Sequence, residues 1–416
     1  MIRKVSGIKR KLTWSLGGNI AYAISQWIIV SIIARYGTAE DLGIYSIGLA
    51  VTAPIVLFFS FQLRTILATD IKNQFSFNQY FGGRLVHLTI SYIVIIPVAF
   101  FYSNNSSSFI IILLMGLVKY VEALSDVCMG FFQKHSRIDL IGKSQLGRGI
   151  VSVVVVGLLY ISTQNITISI FGLLIVMLLR LFFFDMKYLK AYVKIQPVFD
   201  ESSFLLIKLG LPLGISSLIS SLNTNIPRYY LDHLYGVEYV GVFSALYYVL
   251  IASNMLITPI SLLAAPKIAS VYNKKNIKDF IFINIKLFSF SICIFLLVFI
   301  PIYLQGGNIL KILYGEGYSI YEESFVLISL SLLFGFLIAF LELSIVSARR
   351  LRIQPIINLI TVIITSIIGY KLIALYGING AAITVLISRI IQCILSIIVF
   401  LLILTQRNMH NDYKNQ

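Results

Sequence analysis

Three ionisable residues stand three and four positions apart inside an apolar run: Lys119, Glu122 and Asp126. On a helix that spacing puts them along one face. Such a stripe has two uses. It can neutralise itself, Lys119 with Glu122, while Asp126 reaches an aqueous boundary. Or Lys119 holds an anionic group while a carboxylate takes up and releases a proton. Two arginines also lie in apolar runs, Arg180 towards the end of its run and Arg389 near the middle. Guanidinium forks suit phosphate and diphosphate, which they grip through paired N–H donors. Arg180 is also placed to reach an interface along its stem. Glu342 is a candidate counter-charge for Arg389, and with Glu122 and Asp126 completes the set of candidate ion-coupling carboxylates. Arg35 and Arg228 end two further apolar runs. Arg228 has Asp232 one turn on, and Asn223 and Asn225 precede it, followed by Pro227, which is expected to kink or end the helix there. Each charge at the centre of a bilayer helix costs about 2.5–3.5 kcal/mol on insertion scales, so each is expected to face a partner or a wet cavity.

The elements that carry these residues follow from composition. Hydrophobic residues make up 58% of the 416 and charged residues only 12%, far from the balance of a soluble globule. Many windows exceed 18 residues without a charge, which marks bilayer-spanning helices and not the alternation of barrel strands. The fold class is therefore an all-α polytopic membrane protein. The net charge of +16 is positional. Most of the 33 Lys and Arg fall in segments that alternate spans place on one side: 1–11, 64–84, 134–148, 187–208, 267–286, 349–352 and the tail after Thr405. That asymmetry puts both termini in the cytoplasm and assigns the basic charge to topology and anionic headgroups, not to nucleic acid. Cys128, Cys293 and Cys393 sit in apolar runs without ligand spacing, so neither a metal nor a disulfide is expected. The basic start, MIRKVSGIKRKL, leads into an apolar run too long for a cleaved signal and reads as a retained first span.

Twelve spans are expected: 12–34, 42–63, 85–102, 109–132, two between 148 and 180 split at 163–165, two within 210–267, then 280–304, 324–347, 353–370 and 376–404. The longest basic connector, 186–208, divides them into two six-helix lobes, 1–195 and 196–416. The halves echo one another. Tyr36-Gly37, Glu40 and Gly43-Ile44-Tyr45-Ser46 recur as Tyr235-Gly236, Glu238 and Gly241-Val242-Phe243-Ser244. Lys134-His135-Ser136-Arg137-Ile138 recurs as Arg349-Arg350-Leu351-Arg352-Ile353. An even number of spans per half makes the repeats parallel, related by a pseudo-two-fold axis along the membrane normal. No phosphate loop, metal-ligand pair or nucleophile elbow appears, and no outer loop is long enough for a catalytic domain. Glu40 and Asp41 would fit the acidic first outer loop of some membrane glycosyltransferases, but the echo with Glu238 favours a helix-start motif.

The segment LPLGISSLISSLNTNIPRYYLDHLYGVEYVGVFSALYYVLIASNMLITPISLLAAPKIASVY, RYGTAEDLGIYSIGLAVTAPIVLFF at 35–59, EALSDVCMGFFQKHSRIDLIGKSQLGRGI at 122–150 and ILKILYGEGY at 309–318 together resemble Wzx-type O-antigen and polysaccharide flippases. These belong to the multidrug/oligosaccharidyl-lipid/polysaccharide exporter superfamily. The resemblance covers nearly the whole chain. It implies two lobes around a central cavity open alternately to the two sides of a bacterial inner membrane. It implies an undecaprenyl-diphosphate-linked oligosaccharide moved to the periplasmic leaflet, and contacts with membrane lipids, a polysaccharide polymerase and a chain-length regulator. No enzyme activity or cofactor is implied. A cationic cavity is a property of the family, and Lys119, Arg180, Arg389, Arg228, Arg35, Asn223 and Asn225 are the positions here that could line one. Glu122 and Asp126 offset Lys119, so the fourth span departs from a purely cationic lining. A cation extruder of the same superfamily would need an acidic cavity, which a central Arg389 opposes. A membrane polymerase or glycosyltransferase is the other alternative. Without a nucleotide-binding motif, the energy would come from an ion gradient or from removal of product.

Overall fold

The computed structural model describes the backbone of residues 2–70, 72–103, 106–274, 276–348, 350 and 353–412; the side chains of 2–10, 12, 258, 259, 262 and 406–412 lie outside the description. Among the described residues there are helices and no strands. This is what a chain must do where no water is available to satisfy its backbone. The order is α1 (Ile2–Tyr36), α2 (Ala39–Phe59), α3 (Leu63–Thr69), α4 (Phe77–Tyr102), α5 (Ser106–Lys134), α6 (Ile138–Thr163) and α7 (Ile166–Arg180). A π-helical turn, Leu181–Met186, and the single turn α8 (Lys187–Lys190) prolong α7. Then come α9 (Ser202–Tyr235), α10 (Val237–Asn273), α11 (Ile277–Tyr314), a 3₁₀ turn (Glu316–Tyr321), α12 (Glu322–Ser347) and α13 (Ile353–Asp412).

Among the described residues, eleven stretches are long and apolar enough to cross a membrane, and the last, Ile353–Thr405, has 53 residues. At 1.5 Å per residue it is roughly 80 Å long, enough for two crossings of a core about 30 Å thick. Gly377, at φ 56°, breaks it in the middle. Twelve membrane-length segments result. Outward-facing side chains such as Phe101, Phe183 and Leu297 are exposed, as a protein solvated by lipid requires.

Local chemistry sets the helix starts. Thr38 caps α2 by accepting from the Asp41 N–H, Ser76 and Gln79 form a reciprocal capping box on α4, and Asn165 caps α7 by accepting from Thr167 and Ile168. Asp41 also accepts from Tyr160 Oη at 2.8 Å, so Glu40-Asp41 forms the first turn of α2.

Compactness divides the chain into residues 1–222 and 223–416. The division falls inside α9, beyond the basic connector at 186–208 that marked the boundary at 195 in the sequence. The first unit packs α1 against α6, where Gly18 and Gly142 let the backbones touch: a Cβ on Gly142 would lie 1.9 Å from the Trp14 carbonyl. The second unit has a core of Ile268, Phe280, Ile338, Leu341, Cys393 and Phe400. The repeated motif sits at matching junctions. Tyr36 ends α1 and Tyr235 ends α9, and Tyr45 and Ser46 are buried as are Phe243 and Ser244. Of the second echo, residues 349, 351 and 352 lie outside the described set.

Two expectations are corrected. α9 runs unbroken through Pro227, so the helix does not end there, and the break before α10 falls at Gly236, at φ 91°. Arg228 Nη1 lies 3.5 Å from the Thr224 carbonyl, so a neighbouring side chain reaches a backbone oxygen in the proline turn. The inner loops 64–84 and 133–148 are also shorter than charge suggested. α4 begins at Phe77 and α6 at Ile138, so Arg84 and Arg148 are helical and buried.

Candidate functional site

A cavity of about 460 Å³ opens in the first unit between α2, α3, α5, α6 and Ser217 of α9. Lys119, Glu122 and Asp126 line one wall, as their helical spacing requires. Arg64 from α3 and Arg148 from α6 face them. Lys119 Nζ lies 3.0 Å from Glu122, and Arg148 Nη2 lies 2.6 Å from the other Glu122 oxygen. Tyr22 donates to that same oxygen at 3.4 Å, and its ring lies 4.1 Å beneath the Arg148 guanidinium. Asp126 meets Arg64 at 2.8 Å and Arg84 at 3.9 Å. Arg84 is wholly buried and donates to the Ser60 carbonyl at 2.9 Å. Three cations thus line the cavity against two carboxylates, with Arg84 behind them.

The backbone aims Arg64. Phe61 and Gln62 both have φ 46°, a left-handed conformation costly for side chains of their kind. The kink ends α2 and starts α3 pointing into the cavity, and Gln62 fixes it by donating to Ser217 at 3.0 Å. Spacing gave no sign of this turn, and Arg64, Arg84 and Arg148 read as topogenic charge in the sequence. Their one legible mark was position beside apolar runs.

Arg180 is not among the residues lining this cavity. It is buried and pairs with Asp185 at 3.2 Å. Residues five apart diverge on an α-helix, at about 100° per residue. The π turn between them swings Asp185 back towards Arg180. Ser125 accepts from Arg180 and donates to Asp185, and Ser144 donates to Asp185 at 2.7 Å. This polar network joins α5, α6 and α7 through Arg180 Nη2, while Arg180 Nε and Nη1 are buried without a hydrogen-bond partner among the described residues.

In the second unit, Arg389 donates to Gln392 at 3.3 Å, and Gln392 donates to Glu342 and to Asn358, each at 3.3 Å. Glu342 therefore meets Arg389 through an amide. Asn223 accepts from Ser388 at 3.2 Å. Arg228 donates to Asn225 and Ser244, both at 2.9 Å, and lies 5.0 Å from the Tyr247 ring centre. Arg228 is buried, and Arg35 is exposed at the end of α1. Among the described residues no three His, Cys, Asp or Glu gather as metal ligands.

A family model described as polysaccharide biosynthesis protein matches residues 8–271. The chain belongs to that family. Among its relatives is the capsular polysaccharide biosynthesis protein CapF of Staphylococcus aureus, 30% identical over 379 residues, which are 90% of this chain and 95% of that protein. Solved structures share the fold of this polysaccharide biosynthesis protein. An inward-facing multidrug resistance MATE family transporter of the MOP superfamily has a TM-score of 0.76 at 12% identity, covering 97% of this chain and 99% of its own. The lipid II flippase MurJ, in an inward closed conformation, has a TM-score of 0.74 at 14% identity, covering 96% and 91%. This is thus a multi-pass membrane protein of polysaccharide biosynthesis, built on the fold of transporters and flippases. Its family is the one that the four sequence segments resemble.

Proposed function

We propose that this protein moves an undecaprenyl-diphosphate-linked oligosaccharide from the cytoplasmic to the outer leaflet of the bacterial plasma membrane by alternating access. The observation that carries the reading is the wall on which Arg64, Lys119 and Arg148 are held by Glu122 and Asp126. Without substrate the carboxylates keep three cations in place. An arriving diphosphate offers oxygens to the same donors, and Glu122 and Asp126 yield their partners to it. The site thus exchanges one set of anionic oxygens for another, which lowers the cost of gathering cations in a membrane. A diphosphate sugar headgroup cannot enter hydrocarbon alone, because its charges and hydroxyls would lose water without replacement. The cavity replaces that water while the lipid tail stays in the bilayer. The capsular relative supports a surface glycan of capsule type as the cargo.

Of the three candidate coupling carboxylates, Glu342 suits proton exchange best. Protonating Glu122 would leave Lys119 and Arg148 without a counter-charge, whereas Glu342 is held by amides that accept as well as donate. The test is transbilayer movement of a polyprenyl-diphosphate oligosaccharide in proteoliposomes, followed by loss of access to a membrane-impermeant lectin. Wild type should move it, Arg64→Gln and Lys119→Gln should slow it at least tenfold, and Arg389→Ala should also impair it. Full-rate movement by the double Arg64/Lys119 variant would remove the diphosphate from this wall. No movement by folded wild type, with an imposed ion gradient and several glycans, would overturn the reading.

A further inference from the structure

A second cavity, of about 410 Å³, lies wholly in the second unit where α9 turns into α10, α12 begins and α13 breaks. It exists because Gly377, at φ 56°, interrupts α13 and leaves a concave step that a continuous helix would fill. Four tyrosines converge on it: Tyr235, Tyr239, Tyr321 and Tyr376. The Tyr235 and Tyr239 rings are 5.2 Å apart and inclined by 32°, and Tyr235 Oη donates to the Ala374 carbonyl at 2.9 Å, which fixes its ring. Tyrosines at a membrane interface need no special account. The polar chain beside these does. Asn379 donates to Glu323 at 2.9 Å and accepts from Ser324, which is buried. That chain orients one amide and one carboxylate at the cavity wall.

Flat aromatic faces next to a fixed carboxylate and amide are the chemistry that recognises a pyranose ring. The ring's C–H face lies on a phenol, and its vicinal hydroxyls bond to planar groups with several acceptor and donor sites. The volume suits a small molecule. We propose that this cavity is a sugar subsite that takes a pyranose of the transported glycan. The proposal rests on the glycolipid reading above. It gives that reading a specificity determinant, since the diphosphate is common to all lipid-linked glycans and only the sugar distinguishes them.

The experiment is saturation-transfer NMR on the purified full chain in nanodiscs, with the methyl glycosides of glucose, galactose, N-acetylglucosamine and N-acetylgalactosamine, and with choline chloride. At least one glycoside should show transfer. Tyr376→Ala and Glu323→Gln should each weaken it tenfold or more, Tyr376→Phe should preserve it, and Tyr303→Ala, an exposed ring on α11, should leave it unchanged. Transfer to no glycoside, or transfer that survives Tyr376→Ala combined with Glu323→Gln, overturns the subsite. Stronger transfer to choline than to any sugar makes it an ammonium cage and overturns it too. Flipping is read separately in proteoliposomes. Glycoside binding by a protein that does not flip leaves the subsite and removes the flippase; flipping without glycoside binding does the reverse.

Discussion

The two charge systems of the first unit, one lining a cavity and one buried, differ in what surrounds them, and that difference separates the two residue by residue. Asp185 is fully buried and Arg180 nearly so, and Ser125 and Ser144 both donate to Asp185. Asp185→Asn leaves a buried guanidinium unpaired and should cost about 3–5 kcal/mol, seen as a lower thermal midpoint in detergent. Arg64 is about a third exposed, at 32%, so Arg64→Gln should cost under about 1 kcal/mol yet still slow transbilayer movement at least tenfold. Equal loss of midpoint in both variants would contradict this division. Outside the membrane segments, Asp70 accepts from the Gln74 and Phe75 amides at 3.0 and 3.4 Å, with Lys134 at 3.8 Å. Burial pushes its carboxyl up, but the two amides, Lys134 and Tyr80 together bring it below its ordinary value. A depressed carboxyl stabilises the loop above the ordinary carboxylate range, and that stability is lost as pH falls through the folded value. The protection factors of the Gln74 and Phe75 amides against hydrogen exchange should therefore fall below about pH 4, and Asp70→Asn should show no such acid step.

Among the elements, close approach and backbone breaks matter more than propensity. α1 and α6 touch backbone to backbone at Gly18 and Gly142, where a side chain on Gly142 would meet the Trp14 carbonyl. Small residues at such crossings allow helices to pack in lipid without a hydrophobic drive. Gly142→Leu should force the helices apart and lower the thermal midpoint more than Gly147→Leu, whose Cβ would meet open space. Gly377→Ala should cost about 1–2 kcal/mol through its positive φ. It should also reduce glycoside binding, because the step in α13 shapes the second cavity. The twelve spans were legible because uncharged windows of that length have no other stable use. The helix ends were not. α4 and α6 extend past their apolar windows into basic sequence, where capping at Ser76 and burial of Arg84 and Arg148 sustain the helix.

Across the whole molecule, the sequence assigns the basic connectors to the cytoplasm. With single cysteines in a cysteine-free background, position 194 should react with a membrane-impermeant maleimide only from the cytoplasmic side and position 315 only from the outside; the reverse pattern would invert the topology. The sequence alone determined the class of protein, the number of crossings, the internal repeat and the family resemblance. These rest on summed hydrophobicity, charge position and local motif, all of which are one-dimensional. It also singled out Lys119, Glu122, Asp126, Arg180, Glu342 and Arg389, because a charge within hydrocarbon is costly wherever it sits. Only the tertiary structure decided their partners. It joined Arg64 to Asp126 across 62 positions, gave Glu122 to Arg148 as well as Lys119, and withdrew Arg180 into a buried network with Asp185. Such pairings depend on which helix faces meet, and helical spacing orders the residues along a single face without saying what lies opposite it.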